Sequence, residues 1–391
     1  TEALPKAILA YIYRDRIAPV QMELEAIRTH DKNLLGDLVM MDTGFWLLDA
    51  DVGIVNSGSP AQPITFLGST NAAGTVLNRN DMSYTALNLV GDYLRLQYLC
   101  ITNSGNGIGV WGSTGYRRRG VSILDCRSYN NNYGIQAQYT TNLVIQGCAT
   151  YRDALGGIYL TYSDSAEVSG CNSFTNGDNK IGISLDYCMD ANIVSNSCHD
   201  HLGSYSKGIY LRGSGVIRGN DCAANGCGIH AVNWNGPVTI AENHVYDNRQ
   251  TYRSGIEVEA GSLYCGIQNN LVHGNYGGGI ILSDGASSVI EDNRVYLNGE
   301  IGILADQFQS RTIRRNVVYS NNKEGIRTWG RAGELVNNNL VYDNDRLAGG
   351  YYNIYVGDGS ASVNIFSAAN NTVFGRNGIY IENAQTVTLA N

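Results

Sequence analysis

The stretch Asn293-Arg294-Val295-Tyr296-Leu297-Asn298, with Gly302-Ile303 after it, is one copy of a block that the chain repeats. The next copy is Asn316-Val317-Val318-Tyr319-Ser320-Asn321 with Gly325-Ile326. The block returns every 20 to 32 residues and keeps an Asn, a small or apolar residue, an aromatic residue, a second Asn and then Gly-Ile. A repeat of this length indicates stacked units that share one core, and it excludes an ordinary globular domain.

The Gly-Ile pair, called the marker below, opens a segment of alternating residues. In Gly157-Ile158-Tyr159-Leu160-Thr161 the aliphatic side chains face one way, and Tyr159 and Thr161 face the other. A second short strand and then the Asn block follow, so each turn has three strands. The markers begin at Gly107, Gly134, Gly157, Gly182, Gly208, Gly228, Gly255, Gly279, Gly302, Gly325, Asn353 and Gly378. We therefore predict an all-β fold, a right-handed parallel β-helix solenoid of about twelve or more turns.

Stacking the turns at about 4.8 Å places equivalent residues directly above one another. Asn side chains in such a column can bond to one another and to the backbone of a tight corner. The first column is Cys126, Cys148, Cys171, Asn196, Asn220, Asn243, Asn270, Asn293, Asn316, Asn339 and Asn371. A mostly aromatic column lies three residues on, at Tyr129, Tyr151, Phe174, His199, Ala223, Tyr246, His273, Tyr296, Tyr319, Tyr342 and Phe374. The second polar column is Asn131, Asp153, Asn176, His201, Asn225, Asn248, Asn275, Asn298, Asn321 and Asn344.

The two ends of the repeat differ. An open solenoid end exposes strand edges and needs a cover. Residues 1–35 are predicted to form an N-terminal cap with a short amphipathic helix near 18–30, and residues 36–391 the β-helix, with regular turns from about residue 100. The C-terminal end has no capping sequence, so we expect a homo-oligomer or further domains beyond it.

Composition excludes several classes of protein. Charged residues make up 16% of the chain and the net charge is −8, so no basic face for nucleic acid is expected. No segment approaches the roughly 20 apolar residues of a membrane span. The nine cysteines form no CxxC pair and most are interpreted as buried ladder residues, which makes a metal site improbable and limits disulfides to neighbouring turns. We expect no cofactor; calcium is compatible with such a chain but is not indicated, because the Asn runs lack clustered carboxylates.

The repeat resembles the parallel β-helix family of carbohydrate-binding and sugar-hydrolase domains, which includes mannuronan C5-epimerases, polysaccharide lyases and phage tailspikes. The segment Tyr133-Gly134-Ile135-Gln136-Ala137-Gln138 is similar to the epimerase segment Tyr-Gly-Phe-Asp-Pro-His, but only its Tyr-Gly matches. The resemblance implies an extracellular or cell-surface protein with a polysaccharide as its partner. It also implies a sugar groove along the outer face of the marker strands.

Ionisable residues concentrate on that face between residues 182 and 259, which makes this stretch the candidate site. The first outward position holds Tyr159, Ser184, Tyr210, His230, Glu257, Ile281 and Leu304 along successive turns. The next outward position holds Thr161, Asp186, Arg212, Val232, Glu259, Ser283 and Asp306. Lys207 and Arg253 lie just before their markers. Tyr159 and Trp234 are candidates for stacking on sugar rings.

Three functions are compatible with this face. In a lyase or C5-epimerase, Lys207, Arg212 and Arg253 would neutralise a uronate carboxylate while Tyr210 or His230 removes the C5 proton. In the alternative interpretation, the three basic residues have no catalytic role and only pair with Asp186, Glu257 and Glu259 on a solvated charged surface.

In a glycoside hydrolase, Glu257 and Glu259 would be the two carboxylates, since alternate residues of a strand share one face. In a surface adhesin or spike segment, the face would only bind a glycan. The segment His199-Asp200-His201 looks like a catalytic or metal motif, but both histidines fall in structural columns.

Overall fold

The computed structural model describes residues 37–71, 74–260, 264–283, 288–306, 311–329, 334–357, 366–382 and 387–390. They form an all-β parallel β-solenoid of about 13 turns, which confirms the predicted fold class. The predicted cap helix near 18–30 lies outside the described residues. The described part of the chain has no helix long and apolar enough to cross a membrane.

The chain divides into an N-terminal unit, Thr1–Gly177, and a C-terminal unit, Asp178–Asn391. In the described residues of the N-terminal unit the strands are β1 Leu38–Met40, β2 Gly44–Leu47, β3 Val52–Ile54, β4 Ile64–Leu67, β5 Thr75–Asp81, β6 Leu87–Leu89, β7 Leu94–Gln97, β8 Leu99–Ser104, β9 Asn106–Trp111, β10 Arg118–Arg119, β11 Ser122–Leu124, β12 Arg127–Tyr129, β13 Tyr133–Gln138, β14 Thr140–Thr141, β15 Val144–Gln146, β16 Ala149–Tyr151, β17 Gly156–Thr161, β18 Glu167–Ser169 and β19 Asn172–Phe174.

In the described residues of the C-terminal unit they are β20 Ile181–Val194, β21 Ser197–His199, β22 Lys207–Arg218, β23 Asp221–Ala223, β24 Cys227–Ala241, β25 His244–Tyr246, β26 Ile256–Ala260, β27 Cys265–Gln268, β28 Leu271–His273, β29 Ile280–Ser283, β30 Ser288–Glu291, β31 Arg294–Tyr296, β32 Ile303–Asp306, β33 Arg311–Arg314, β34 Val317–Tyr319, β35 Ile326–Thr328, β36 Glu334–Asn337, β37 Leu340–Tyr342, β38 Ile354–Val356, β39 Phe366–Ala369, β40 Thr372–Phe374, β41 Ile379–Ile381 and β42 Val387–Ala390.

Each regular turn has the three strands that the sequence predicts. One turn of the N-terminal unit consists of β13 after the marker, β15, and β16 in the Asn block. Each pairs in parallel with its equivalent in the next turn of that unit, namely β17, β18 and β19. In β20, β22 and β24 of the C-terminal unit the marker strand and the second strand run together as one long strand. These long strands, together with β26, carry the candidate site.

The core consists of aliphatic columns, because the same positions of each turn point inward. The marker isoleucines Ile209, Ile229, Ile256 and Ile280 are fully buried. All nine cysteines are buried free thiols, which confirms their assignment as core residues. Cys198 and Cys222 lie in register on β21 and β23.

The Asn columns are continuous hydrogen-bonded ladders in the C-terminal unit. The Asn316 amide Nδ2 donates to Asn339 Oδ1 at 3.0 Å and to the Ile290 carbonyl at 2.9 Å, while the Asn316 backbone N–H also donates to Asn339 Oδ1. Asn321 repeats this pattern in the second column with Asn344. The ladders thus satisfy the polar groups of two corners in every turn, as predicted.

Candidate functional site

Strand register brings the ionisable residues of the C-terminal unit together as the repeat predicts. Ser184, Tyr210, His230 and Glu257 are successive register partners on β20, β22, β24 and β26. Asp186, Arg212, Val232 and Glu259 form the neighbouring column on the same strands. Adjacent members of a column are about 4.8 Å apart, so the side chains of three turns can act together.

His230 lies at the centre of this group and is only 5% exposed, although its position on the strand is the outward one. Its Nε2 is 3.2 Å from Oε1 of Glu259, whose side chain is 55% exposed. The adjacent His230 ring lowers the pKa of the Glu259 carboxyl, with Arg253 and Lys207 acting in the same direction. Among the described residues, neither ring nitrogen of His230 has a hydrogen-bond partner and both are buried, so Nε2 makes only the close contact with Glu259. A carboxylate at Nε2 favours the tautomer with the proton there, which leaves a lone pair on Nδ1.

Tyr210 packs edge-on against His230, with 5.4 Å between ring centroids and an interplanar angle of 72°. Burial raises the pKa of the Tyr210 hydroxyl. The Lys207 ammonium lies 5.3 Å from the centroid of the Tyr210 ring. Burial lowers the pKa of Lys207. Tyr210 is therefore a proton donor at neutral pH, and Lys207 is a partly desolvated cation beside it.

Arg253 and Glu257 form an ion pair at the next turn. Arg253 Nη1 is 3.1 Å from both carboxylate oxygens of Glu257. Beneath it, Cys227 Sγ is 4.0 Å from Glu257 Oε2, and burial raises the pKa of that thiol. The pair is half-buried, so its charges are less screened than those of a surface pair.

Arg212 and Asp186 form a second pair, with 3.4 Å between Nε and Oδ1. The Arg212 guanidinium also lies over the Tyr187 ring, 4.9 Å from its centroid. Burial raises the pKa of Asp186, and Arg212 opposes that shift. Both arginines thus contact acids, as the alternative interpretation of the sequence anticipates, yet they line the same face as Tyr210 and His230.

One cluster in the described residues has the composition of a cation site. His230, Glu257 and Glu259 each offer a ligand atom, and these atoms lie within 4.8 Å of one another. The Arg253 guanidinium occupies both oxygens of Glu257, so a cation there would have to displace it. The prediction that the protein uses no cofactor stays a prediction.

The structure describes the side chain of one of the two predicted sugar-stacking residues. Tyr159 belongs to the N-terminal unit, where its ring stacks on Tyr133 with 5.2 Å between centroids. Trp234 is on β24, but its side chain lies outside the part of the chain that the structure describes.

The motif His199-Asp200-His201 occupies structural columns. His201 is buried, its Nδ1 is 2.8 Å from Asn225 Oδ1, and burial lowers its pKa to about 4. His199 Nδ1 is 2.9 Å from Asp200 Oδ2.

The sequence interpretation missed Cys227 and Tyr187, because neither falls on the two outward positions that it followed. A search one residue beyond the second outward position would have found Tyr187, and following the position of Lys207 to the next turn would have found Cys227, its register partner.

Comparison with known proteins extends these observations. The family model described as "Right handed beta helix region" matches residues 106–263 and 245–373. Among curated proteins, no sequence matches this chain. The mannuronan C-5 epimerase A-module of Azotobacter vinelandii superposes with a TM-score of 0.51 at 16% identity, over 89% of this chain and 91% of that one. DFA-IIIase from Arthrobacter chlorophenolicus A6 superposes with a TM-score of 0.50 at 11% identity, over 72% of this chain and 83% of that one. At these identities the similarity is one of fold.

Proposed function

Because the chain belongs to the right-handed β-helix family, we propose that it acts on a polysaccharide, as a lyase or C5-epimerase of a uronate-containing glycan. The observation that carries the proposal is the unpartnered Nδ1 of His230, set between Tyr210 and Glu259 on adjacent strands. The name of one structural neighbour, a mannuronan C-5 epimerase, is consistent with it. An extracellular or cell-surface location and a homo-oligomeric state belong to the same proposal.

The residues divide the work of proton transfer. Lys207 and Arg253 bind the uronate carboxylate and so make the C5 proton more acidic, because they stabilise the negative charge that develops there. His230 Nδ1 accepts that proton, while Glu259 holds the ring and stabilises the imidazolium. Arg212 binds a neighbouring sugar carboxylate from the flank of the group.

Tyr210 supplies the second proton. In a lyase it protonates the O4 oxygen as the C4–O4 bond breaks, leaving a 4,5-unsaturated uronate. In an epimerase it protonates C5 from the opposite face. The raised pKa of its hydroxyl keeps it protonated before the reaction, which suits a donor and not a base.

A polyuronate panel tests the proposal. A lyase produces ultraviolet absorbance from the unsaturated end, and an epimerase changes the uronate composition without cutting the chain. Tyr210→Phe and His230→Gln are each expected to lower activity about a hundred- to ten-thousand-fold, because each removes one proton-transfer group. The controls are Tyr296→Phe and His199→Gln, which change the same residue types outside the group. Full activity in His230→Gln would overturn the mechanism.

A glycoside hydrolase is the second candidate. It is favoured by the close approach of Glu257 and Glu259, whose ligand atoms lie within 4.8 Å, near the roughly 5 Å of retaining enzymes. New reducing ends without ultraviolet absorbance, lost in both Glu257→Gln and Glu259→Gln, would identify it. Binding without any product across the panel would identify an adhesin instead.

A further inference from the structure

A pair of histidines lies away from the proposed catalytic group, on the strands of the Asn block. His244 is on β25 and His273 is on β28, and their Nε2 atoms are 2.9 Å apart. They are not register partners, because His244 pairs with Leu271 and His273 pairs with Tyr246. The contact is therefore diagonal across the two strands. Both rings are half-buried, so their nitrogens are within reach of solvent.

The surroundings fix the direction of both rings. His273 stacks on Tyr246 and Tyr296, with ring centroids 5.5 and 4.8 Å away. His244 stacks on Tyr246 at 4.2 Å. On its other side, His244 Nδ1 is 3.3 Å from Oδ2 of Asp221. An aromatic column therefore holds both imidazoles with Nε2 facing Nε2.

In the neutral His244–His273 pair, one Nε2 carries a lone pair and the other carries a proton. The Asp221 carboxylate, 3.3 Å from His244 Nδ1, favours the proton on that nitrogen, so the neutral His244 ring carries its lone pair on Nε2. His273 must then place its proton on Nε2 to make the 2.9 Å contact. If that proton moves to His273 Nδ1, two Nε2 lone pairs face one point.

We infer that His244 and His273 form a binding site for a late first-row transition-metal ion, with Zn²⁺ or Cu²⁺ as the chemical class. Tetrahedral bonds of about 2.0 Å place two nitrogens about 3.3 Å apart, so the observed separation needs to widen by only a few tenths of an ångström. Solvent supplies the remaining ligands. Imidazole nitrogen suits these ions, whereas Ca²⁺ and Mg²⁺ require oxygen. Asp221 acts as the carboxylate behind a metal-bound histidine, which orients the ring and raises its basicity.

Calorimetric titration of the full chain with Zn²⁺ tests this inference, which does not depend on the proposed enzyme activity. We expect one Zn²⁺ to bind at this site and no response to Ca²⁺. His244→Gln and His273→Gln should each abolish this binding event, and Asp221→Asn should weaken it about tenfold. His199→Gln is the matched control, since His199 also lies beside an aspartate and does not belong to the His244–His273 pair.

Two further measurements keep the inference open to refutation. Cu²⁺ bound at this site should show nitrogen ligation by electron paramagnetic resonance, and its affinity should fall as the pH is lowered, because protons compete with the metal for the imidazole nitrogens. Thermal unfolding of each variant without metal checks that it folds. A wild-type chain that binds no Zn²⁺, or Zn²⁺ binding that survives in both histidine variants, would overturn the inference.

Discussion

At the scale of single residues, a histidine within a structural column has a different role from a histidine outside these columns. His201 takes the place of Asn in the second polar column and makes the bonds of that column through Nδ1 and its backbone N–H, both to Asn225 Oδ1. His230 occupies a position that no structural column uses. The first is therefore a structural histidine with a satisfied ring, and the second is a buried histidine whose Nδ1 has no hydrogen-bond partner among the described residues.

His201 makes stability depend on pH. Burial lowers its pKa to about 4, whereas an unfolded histidine titrates near about 6.5. The unfolded state thus binds the proton first, and the contribution that is complete above about pH 6.5 is lost as the pH falls toward 4. We expect the free energy of unfolding to decrease by about 3 kcal/mol over that interval.

The substitution His201→Asn tests this origin. It installs the residue that the column uses elsewhere, and urea unfolding between pH 7 and pH 4 should then show a smaller loss of stability than in the wild type. His199→Asn should change the loss much less, because burial is the main cause of the lowered His201 pKa and the neighbouring His199 only a minor one. An equal loss in His201→Asn and the wild type would assign the acid sensitivity to other groups.

At the scale of the turn, the marker glycine is explained by the turn above it. A Cβ on Gly302 would lie 2.6 Å from the Gly325 carbonyl oxygen, 2.6 Å from Val318 Cγ1 and 2.7 Å from Asn321 Nδ2. Gly228 and Gly279 meet the next marker's carbonyl in the same way. Close stacking of backbone on backbone, and not an unusual φ angle, therefore requires glycine here.

This packing predicts a large loss of stability from one Gly→Ala substitution and almost none from another. Gly302→Ala should lower the free energy of unfolding by about 2 kcal/mol, because the methyl group forces the stacked turns apart. Gly378→Ala should change it by less than about 0.5 kcal/mol, because no described atom lies within 4 Å of a Cβ at that marker. Denaturant unfolding of both variants measures the difference, and equal effects would contradict the stacking explanation.

At the scale of the whole molecule, the cysteine thiols are buried in the repeated core in the same way as the aliphatic side chains. All nine cysteines are buried free thiols, and burial raises the pKa of Cys265 to about 12. The reactive thiolate form of Cys265 is therefore scarce as well as inaccessible.

We expect a thiol-specific disulfide reagent to label none of the nine cysteines in the native protein and all of them after complete unfolding. The labelling rate then reports opening of the core. Rapid labelling of one or more thiols under native conditions would contradict their burial. Mass spectrometry of the labelled peptides would show which turns open first.

Most of the candidate site was within reach of the sequence, because the repeat assigns every residue a place in its turn. Tyr210, His230 and Glu257 were placed in one column in this way, and their strands are in that register. The pairing of each arginine was not predictable. Arg253 could contact Glu257 or a substrate with equal ease from its position in the turn, and only side-chain packing selects the partner.

The sequence by itself determined the parallel solenoid, its three strands per turn and its columns of Asn, aromatic and aliphatic residues. It could do so because equivalent positions stack directly, so that a one-dimensional pattern carries the three-dimensional neighbour relation. Tertiary structure alone decided what happens between columns. It buried the outward-placed His230, set Glu259 against its ring, and joined His244 to His273 by a diagonal contact between residues 29 apart in the chain. Such contacts depend on side-chain direction and strand geometry, which the repeat does not encode.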